Sequence, residues 1–402
     1  MLDSLLRGFQ ALDLTDEKGF ACGKILSMLG VDVVKVEKPG GDAARLIPPF
    51  IHNVPDREGS LYWMSYHTDK RSITLKLESI QGRDLFKKLA VKADFVLESF
   101  TPGYLDKIGL GYEVLSQINK RIIMTSITPF GQKGPYSQYK GSNLVAQAMS
   151  GVLENTGYPD RPPVQEAPDT VYFESGVAAA LGTLISHYYR ELSGEGQQVD
   201  VSLQERAASR MRDCLVTYFF EEKLVKRTAV SGHAISGHPQ RWLWSCKDGD
   251  IFWRGDLRML PPGRQIMSEW FDEAGLKNPF RSEENVSPDT FDAMVVPLFL
   301  KYTKKEIMER LWKTENQAWP VSNSVEVLDS PQNSAREFFK TLTHPKSEVT
   351  LAYPRHMFLS NETENYVKRS APLIGEHNDE IYGKELGLSS AEIDGLKKTG
   401  VI

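Results

Sequence analysis

The sequence predicts an α/β fold, in which a parallel sheet flanked by helices is followed by a second, smaller domain. The first observation is that short apolar runs alternate with helical patterns over the first third of the chain. The second is a change near residue 226, where a loop rich in Gly, Ser and His leads into short strands. The third is the length of 402 residues, which suggests two or three domains with a sizeable core.

The larger domain is predicted from two kinds of repeating pattern. Short apolar runs predict strands at Ala11–Leu14, Val31–Glu37, Ser72–Leu75, Ala93–Glu98, Ile122–Ile127 and Val199–Ser202. Apolar residues spaced three and four apart predict helices at Phe20–Leu29, Ile80–Val91, Tyr112–Asn119, Asn143–Gly151 and Thr170–Arg190. Alternation of strands and helices favours a parallel sheet with right-handed crossovers.

The smaller domain is expected at 226–325. It interrupts the larger domain, which we expect to begin with 1–225 and to be completed by a linker and C-terminal segment at 326–402. Within the smaller domain, Lys247–Asp250 predicts a hairpin, because an Asp-Gly pair favours the tight turn that joins two antiparallel strands. Helices are expected to follow this hairpin.

Composition and charge make several classes of protein improbable. The net charge of −5 gives no dominant basic surface, so general nucleic-acid binding is not expected. No apolar run reaches about eighteen residues, and the N-terminus lacks a signal-peptide pattern, so we expect no membrane span. Cys22, Cys214 and Cys246 are far apart, which argues against a disulfide framework and fits a reducing cytoplasm.

Local motifs carry little functional information when each is taken alone. The turn Pro39–Asp42 could bring backbone close to a nucleotide, but an ordinary βα turn explains it as well. Lys35 and Lys38 could contact phosphates, although exposed lysines at the end of a strand are usually solvated. The histidines show no metal-ligand spacing, so we predict no metal site; those considered are His67, His233 and His238.

A series of longer motifs resembles the family III CoA-transferases, also called the CaiB/BaiF family, and the related α-methylacyl-CoA racemases. Val33–Asp42, VVKVEKPGGD, is similar to the family signature V-I-K-V-E-x-P-G-G-D. Further similar segments follow in the family's order: DKRSITL at Asp69–Leu75, DFVLESF at Asp94–Phe100, LDKIGLGY at Leu105–Tyr112, FGQKGPY at Phe130–Tyr136, GEGQQVDVSL at Gly194–Leu203, PLIGEH at Pro372–His377 and GVI at Gly400–Ile402. The resemblance therefore covers essentially the whole chain.

This resemblance implies a fold, a ligand and an assembly. Such enzymes bind CoA on a Rossmann-like large domain, and two chains, each with a small α+β domain, are interlocked in a dimer. The residues that resemble the family's CoA contacts are Lys38, His67, Lys70, Arg71, Ser99, Phe100, Lys107 and Lys140. Lysine and arginine can neutralise the phosphates of CoA, and Phe100 offers an apolar face. Taken alone, each lysine is equally well explained as a solvated surface charge.

The position of the catalytic carboxylate departs from the family pattern. In these transferases, an aspartate that opens the helix after a proline-rich loop attacks the donor thioester. It forms a mixed anhydride and then an aspartyl thioester. Counting back from Gly176 without a gap, this position falls on Tyr172. Tyrosine cannot form an anhydride, and its ordinary pKa of about 10 makes it a poor nucleophile at neutral pH.

Asp169 is the alternative carboxylate. It follows Pro168 and precedes a helical pattern, so it can be interpreted as a helix N-cap, which we favour. It can also be interpreted as a nucleophile that a local shift of the loop has brought into place. Glu174 lies about half a turn from Tyr172 and is expected to point elsewhere.

Three hypotheses follow for the function. The chain is a supporting subunit paired with a catalytic homologue, in a two-subunit type resembling succinyl-CoA:benzylsuccinate CoA-transferase. Alternatively, it is a self-sufficient transferase using Asp169, or an acyl-CoA racemase or isomerase. Ser142-Asn143 stands where a racemase would be expected to have its histidine. The expected ligands are an acyl-CoA and a carboxylic acid, and the expected partner is a homologous chain or a second copy.

Overall fold

The computed structural model describes residues 4–227, 231–232, 240–281, 286–312, 314–363 and 366–402. The chain is divided into two compact units. The larger comprises the described parts of Met1–Val152, Gln165–Arg212 and Pro331–Ile402, and the smaller those of Leu153–Val164 and Asp213–Ser330. Residues 213–225, which the sequence-based limits assign to the large domain, lie in the smaller unit. Most of the Gly-, Ser- and His-rich loop, including His233 and His238, lies outside the described residues.

A six-stranded sheet is the centre of the larger unit, with the strand order β3-β2-β1-β4-β5-β6. Its strands are β1 (Gln10–Asp13), β2 (Asp32–Glu37), β3 (Arg71–Thr74), β4 (Phe95–Glu98), β5 (Ile123–Thr128) and β6 (Gln198–Ser202). Every neighbouring pair in this sheet is parallel. The prediction of a parallel α/β sheet is confirmed, and the predicted strand ends agree to within two residues.

Helices pack on the sheet to form two buried cores. The helices up to β6 and just after it are α1 (Phe20–Met28), α2 (Leu61–Tyr66), α3 (Ile80–Ala90), α4 (Tyr104–Lys107), α5 (Tyr112–Ile118), α6 (Asn143–Met149), α7 (Thr170–Ser193) and α8 (Leu203–Ala208). Successive strand residues point to opposite faces, so Val34 lies in one core with residues of α3 and α5. Val33 lies in the other core with residues of α1 and α7.

The smaller unit is built on a three-stranded antiparallel sheet of order β11-β10-β9. Its elements are α9 (Arg212–Glu221), β7 (Ser231–Gly232), β8 (Gln240–Arg241), β9 (Leu243–Cys246), β10 (Gly249–Trp253), α10 (Gly263–Glu273), α11 (Pro288–Phe299), α12 (Lys304–Leu311), β11 (Ala318–Pro320) and α13 (Ser324–Leu328). Trp244, Trp253 and Trp270 are buried in its core. The turn between β9 and β10 confirms the predicted hairpin.

The C-terminal segment belongs to the larger unit. It comprises α14 (Pro331–Ala335), β12 (Phe339–Thr343), β13 (Thr350–Pro354), a π-helical segment (Asp379–Glu385) and α15 (Ser390–Lys398). The hydroxyl of Tyr382 donates to the backbone oxygen of Thr74 in β3 at 2.8 Å. Of the helices that the structure describes, none combines the length and the apolar character needed to cross a membrane.

Candidate active site

The candidate site lies where the strand order reverses, between β1 and β4. Open α/β sheets bind ligands at the carboxyl edge beside such a reversal. Asp16 follows β1 and Ser99 follows β4, and the two residues are directly bonded. Oγ of Ser99 donates to Oδ1 of Asp16 at 2.7 Å and accepts the backbone N–H of Asp16 at 2.8 Å. Ser99, which resembles a CoA contact of the family, therefore joins the two loops at the point of reversal.

Phe100 lies in the same turn and is half-buried. Its ring centroid is 4.8 Å from that of Tyr104, and its backbone N–H donates to Oε2 of Glu98 at 2.8 Å. Burial raises the pKa of Glu98 to about 7, although hydrogen bonds from Ser126 and Phe100 oppose that rise. Sequence reasoning missed Glu98 as the residue that holds this turn; its place at the carboxyl end of β4 was the available signal.

Three of the lysines that resemble CoA contacts are exposed. Lys38 directly follows β2, Lys107 is the last residue of α4, and Lys140 lies in the loop between β5 and α6. Their positive charges are open to solvent, where an anionic ligand can reach them. Lys38 directly follows a strand of the sheet at its carboxyl edge, the same edge at which Ser99 lies.

Lys70 and Arg71 are buried and already bonded to carboxylates. Nζ of Lys70 lies 2.8 Å from Oδ2 of Asp13, and both side chains are enclosed. The guanidinium of Arg71 pairs with Asp32, with Glu380 at 2.9 Å and with Glu385. A phosphate could contact either cation only after an ion pair had opened. The structure thus separates these two residues from the exposed lysines.

Lys35 is also buried, which contradicts the expectation of an exposed lysine at the end of a strand. Its ammonium donates to the backbone oxygen of Thr15 and lies 3.4 Å from Oδ2 of Asp42. Burial alone would lower the pKa of Lys35, but the carboxylates of Asp13 and Asp42 raise it. The reason for the error is that β2 lies between β1 and β3 and is covered on both faces, so the side chain of Lys35 does not reach solvent.

His67 is fully buried beside the aromatic rings of α1 and α2. Its ring stacks on Trp63 with centroids 3.6 Å apart and meets Phe20 edge-on at 4.5 Å. Burial and the neighbouring charge of Lys70 hold the pKa of His67 well below its ordinary value, so the ring is neutral. Among the described residues, no group of three or more His, Cys, Asp or Glu side chains could hold a metal ion.

Tyr172 lies in the first turn of α7 and is almost completely buried. Its hydroxyl accepts a hydrogen bond from the backbone of Asn143. Burial raises the pKa of Tyr172 to about 12, with further contributions from the carboxylates of Glu17 and Asp16. Sequence reasoning missed Asp16 and Glu17, although both lie in the loop that follows β1 at the carboxyl edge.

Asp169 occupies the N-cap position of α7, but its side chain makes no capping hydrogen bond. The predicted position at the start of the helix is therefore right, but the predicted side-chain cap is wrong. Its φ of 62° is left-handed, whereas a residue whose side chain caps a helix typically has extended backbone. The Asp169 carboxylate accepts a hydrogen bond from the hydroxyl of Tyr62. Burial raises the pKa of Tyr62, and the negative charge of Asp169 and this hydrogen bond raise it further. Burial and the same negative charge raise the pKa of Tyr66 to about 12.

Glu174 points away from Tyr172, as the helical spacing predicts. Its Oε1 lies 2.9 Å from Nη1 of Arg210, and the same guanidinium binds Glu166 at 2.5 Å. These bonds join the beginning of α7 to the segment after α8. Because Glu174 is committed to an ion pair, the carboxylates left near Tyr172 are those of Asp16, Glu17 and Asp169.

A family model described as CoA-transferase family III matches residues 6–378 of the chain. The chain belongs to family III of the CoA-transferases. Subunit BbsE of the succinyl-CoA:(R)-benzylsuccinate CoA-transferase of Thauera aromatica is 31% identical to it over 412 residues, covering 98% of this chain and 97% of the relative. The formyl-CoA:oxalate CoA-transferase of Streptomyces coelicolor is 30% identical and is covered along 100% of both chains.

A solved structure of similar fold supports the same assignment. It is that of a CAIB/BAIF family protein from Brucella suis, with a TM-score of 0.80 and 25% identity. The match covers 95% of this chain and 99% of that protein. The substrates of a CoA-transferase are CoA thioesters, so this family III chain is expected to meet a ligand with several phosphates.

Proposed function

We propose that this chain is the supporting subunit of a two-chain family III CoA-transferase, which moves CoA from an acyl-CoA to a carboxylic acid. One observation carries the proposal: counted back from Gly176 without a gap, the position that the family pattern gives to its nucleophilic aspartate falls on Tyr172, a phenol. Its pKa of about 12 keeps the phenol protonated at neutral pH. The relative BbsE, which its name describes as one subunit of a CoA-transferase, supports an assembly of two different chains.

The chemistry of transfer explains why a phenol is not an adequate substitute. A carboxylate oxygen attacks the thioester carbon, the C–S bond breaks, and CoA leaves as a thiolate while the acyl group is held as a mixed anhydride. The thiolate then attacks the enzyme's own carbonyl carbon and releases the acid, which leaves an enzyme thioester. Tyrosine has no carbonyl carbon at which this second step could occur. A partner chain with the aspartate would have to supply it.

CoA is proposed to bind at the carboxyl edge of the sheet in this chain. Ser99 and Phe100 lie at the reversal of strand order, and Lys38, Lys107 and Lys140 supply exposed positive charge for its phosphates. The remaining residues that resemble CoA contacts are enclosed and would support the site from within. Those residues are His67, Lys70 and Arg71.

A self-sufficient transferase using Asp169 is the second candidate. It is favoured by the absence of a capping bond, since the carboxylate of Asp169 is not occupied in holding the helix. This carboxylate does accept a hydrogen bond from Tyr62, which would stabilise its charge and reduce its nucleophilicity.

The racemase or isomerase hypothesis has less support. Oδ1 of Asn143 accepts the backbone N–H of Val171 at 3.0 Å, so this side chain positions the start of α7. A carboxamide is not a base at neutral pH, and it stands close to where the racemases would have their histidine.

The test compares Tyr172→Asp with Tyr172→Asn, which match in size and differ in the nucleophilic oxygen. The purified chain is treated with hydroxylamine in the presence of succinyl-CoA or formyl-CoA and examined by mass spectrometry. We expect no hydroxamate in the wild-type chain or in Tyr172→Asn, and a hydroxamate at position 172 in Tyr172→Asp. Folding of each variant is checked by circular dichroism.

Two outcomes would contradict the proposal. A hydroxamate on Asp169 of the wild-type chain, lost with activity in Asp169→Ala, would establish the second candidate instead. A folded Tyr172→Asp variant that remains unlabelled would show that position 172 is not the place of the nucleophile. Restored transfer on co-expression with a homologue that keeps the aspartate is the expected positive result.

A further inference from the structure

A pocket of about 310 Å³ lies in the larger unit, beside the edge strand β3. Its wall is formed mainly by the end of β12 and by the segment after β13, and it includes Thr343, Lys368, Arg369 and His377. Lys70 also lines the pocket, but its ammonium is already bonded to a carboxylate. None of the described residues at the reversal of strand order lines it. The volume suits a small ligand, because ligand sites in proteins range from about 300 to 1,000 Å³.

The two exposed cations of the pocket, Lys368 and Arg369, have no carboxylate as a salt-bridge partner within the described residues. The basic residues of the C-terminal segment that do form described salt bridges are Lys346, Arg355 and Lys397. Nη2 of Arg369 donates to a backbone oxygen at 3.2 Å, and the rest of its guanidinium has no described partner. Two positive charges are therefore available to an anion in the pocket.

Lys368 also belongs to a group of three cations around the ring of Tyr366. Its Nζ lies 5.4 Å from the ring centroid, that of Lys340 lies 4.7 Å away, and the guanidinium carbon of Arg355 lies 4.9 Å away. The face of an aromatic ring attracts a cation, but the three cations repel one another. Of the described carboxylates, Glu337 alone forms a salt bridge with this group, through Arg355. The excess of positive charge would be stabilised by an anion.

Asp69 holds the backbone that carries the two cations of the pocket. Its carboxylate accepts the N–H groups of Lys368 at 2.9 Å and of Arg369 at 2.7 Å. The backbone N–H of Asp69 donates in turn to the backbone oxygen of Arg369 at 3.1 Å. These bonds hold Asp69 at a left-handed φ of 61°, which residues other than glycine rarely adopt. The backbone of both cations is thus fixed before a ligand binds, which lowers the entropic cost of binding.

His377 supplies a neutral hydrogen-bond donor to the same pocket. Its Nδ1 accepts the backbone N–H of Ser72 at 3.2 Å, and its own backbone N–H donates to the oxygen of Ser72 at 2.9 Å. Burial holds the pKa of His377 below its ordinary value, so the ring is neutral and its N–H proton lies on Nε2. No described residue accepts this proton. Glu376, the carboxylate of the lining, accepts the backbone N–H of Leu373 at 2.8 Å.

We propose that this pocket binds a compact phosphate dianion that is not part of CoA. Lys368 and Arg369 supply the positive charge, and Nε2–H of His377 supplies a further hydrogen bond. Phosphate fits because its oxygens surround one centre, so that an ammonium, a planar guanidinium and an imidazole can all donate to it. The inference goes beyond the proposed function, since it depends neither on which chain holds the nucleophile nor on CoA binding at the reversal of strand order.

The first test titrates the purified full chain with inorganic phosphate at low ionic strength, by isothermal titration calorimetry. We expect saturable binding by the wild type. Lys368→Gln and Arg369→Gln should each weaken binding about ten-fold or more, since each removes a hydrogen bond from a charged group. Lys368→Arg, which keeps the charge, should retain binding. Lys346→Gln is the matched control: this lysine of the same segment is exposed but does not line the pocket, so the affinity should not change.

The second test separates the pocket from CoA binding and from general attraction of anions. Lys368→Gln should leave the affinity for CoA unchanged, whereas Lys38→Gln should weaken CoA binding and leave phosphate binding unchanged. Succinate, whose two charges lie on separate groups, should bind more weakly than phosphate. The proposal would be overturned by the absence of saturable phosphate binding, by an equal loss in Lys346→Gln, by succinate binding as tight as that of phosphate, or by equal losses of CoA and phosphate affinity in Lys368→Gln. A failure confined to Lys38→Gln would instead count against the proposed CoA site.

Discussion

At the scale of single residues, burial decides the charge of several side chains near the carboxyl edge of the sheet. It raises the pKa of Glu98 to about 7 and that of Tyr172 to about 12, and it lowers the pKa of His67. The common cause is that an enclosed site solvates the charged form poorly. Lys35 and Lys70 remain enclosed because Asp13 is close to both. The chemistry of these residues therefore depends on their partners.

The raised pKa of Glu98 predicts a pH-dependent stability. In the folded protein Glu98 keeps a proton that it releases near pH 4.5 in the unfolded chain. Protonated Glu98 therefore makes its full contribution to stability below that pH, and the contribution is lost as the pH rises towards 7. Glu98→Gln retains an acceptor for the Phe100 N–H but cannot ionise. Between pH 5 and 7.5, the free energy of unfolding of the wild type should fall by about 2–3 kcal/mol relative to the variant.

Urea unfolding at the two pH values measures this difference. Glu195→Gln, at an exposed position, is the control and should show no comparable change. The prediction would be contradicted if the free energies of unfolding of the wild type and Glu98→Gln differed by the same amount at both pH values.

At the scale of elements, the close approach of α7 to α1 depends on the absence of a side chain at Gly176. A Cβ at this position would lie 2.5 Å from Cβ of Ala21 and 2.9 Å from the backbone nitrogen of Cys22. Neither atom belongs to a flexible side chain that could move aside. The position of α7 on the sheet, and with it that of Tyr172, therefore depends on this contact.

Gly176→Ala is expected to destabilise the protein by about 1–3 kcal/mol, because α1 must shift to accommodate the methyl group. This cost outweighs the gain of roughly 1 kcal/mol that alanine normally brings to a helix interior. Gly395→Ala in α15 is the matched control: nothing lies within 4 Å of its added Cβ, so it should be stabilising. Thermal unfolding of the two variants should move in opposite directions, and a stabilised Gly176→Ala would refute the argument.

At the scale of the whole molecule, the C-terminal segment completes the larger unit. Tyr382 is fully buried in the same core as Ile73 of β3, and its hydroxyl binds the backbone oxygen of Thr74. Arg71 at the start of β3 binds Glu380 and Glu385 from the same segment. Residues separated by some three hundred positions thus share one core.

This sharing predicts that the segment unfolds together with the sheet. Tyr382→Ala should cost about 3–5 kcal/mol, as for a large aromatic residue removed from a core. Tyr382→Phe should cost about 1 kcal/mol, the usual value of one hydrogen bond. Urea unfolding measures the stability cost of each variant, and hydrogen exchange of the β3 amides shows whether the sheet unfolds with the segment. Loss of less than about 1 kcal/mol in Tyr382→Ala would mean that the segment is not part of the cooperative unit.

The sequence alone was sufficient for the strands of the parallel sheet, for helices α1, α3, α5, α6 and α7, for the β9–β10 hairpin and for the family. It did not predict the short helices α2, α4 and α8. These features depend on local signals: the spacing of apolar residues, the turn residues that interrupt them, and ordered motifs. The proposal that Tyr172 replaces the family's aspartate also comes from the sequence, because it needs only a count of residues from Gly176.

Other properties were decided only by the tertiary structure. The ion pair of Lys70 with Asp13 joins residues 57 positions apart, and that of Arg71 with Glu385 joins residues 314 apart. The left-handed φ of Asp169 and the missing capping bond of its side chain are likewise seen only in the structure. Which face of α7 is exposed depends on which face α1 covers. Periodicity identifies an apolar side chain but does not say whether its neighbour lies in the same chain or in another, because burial is a property of the folded assembly.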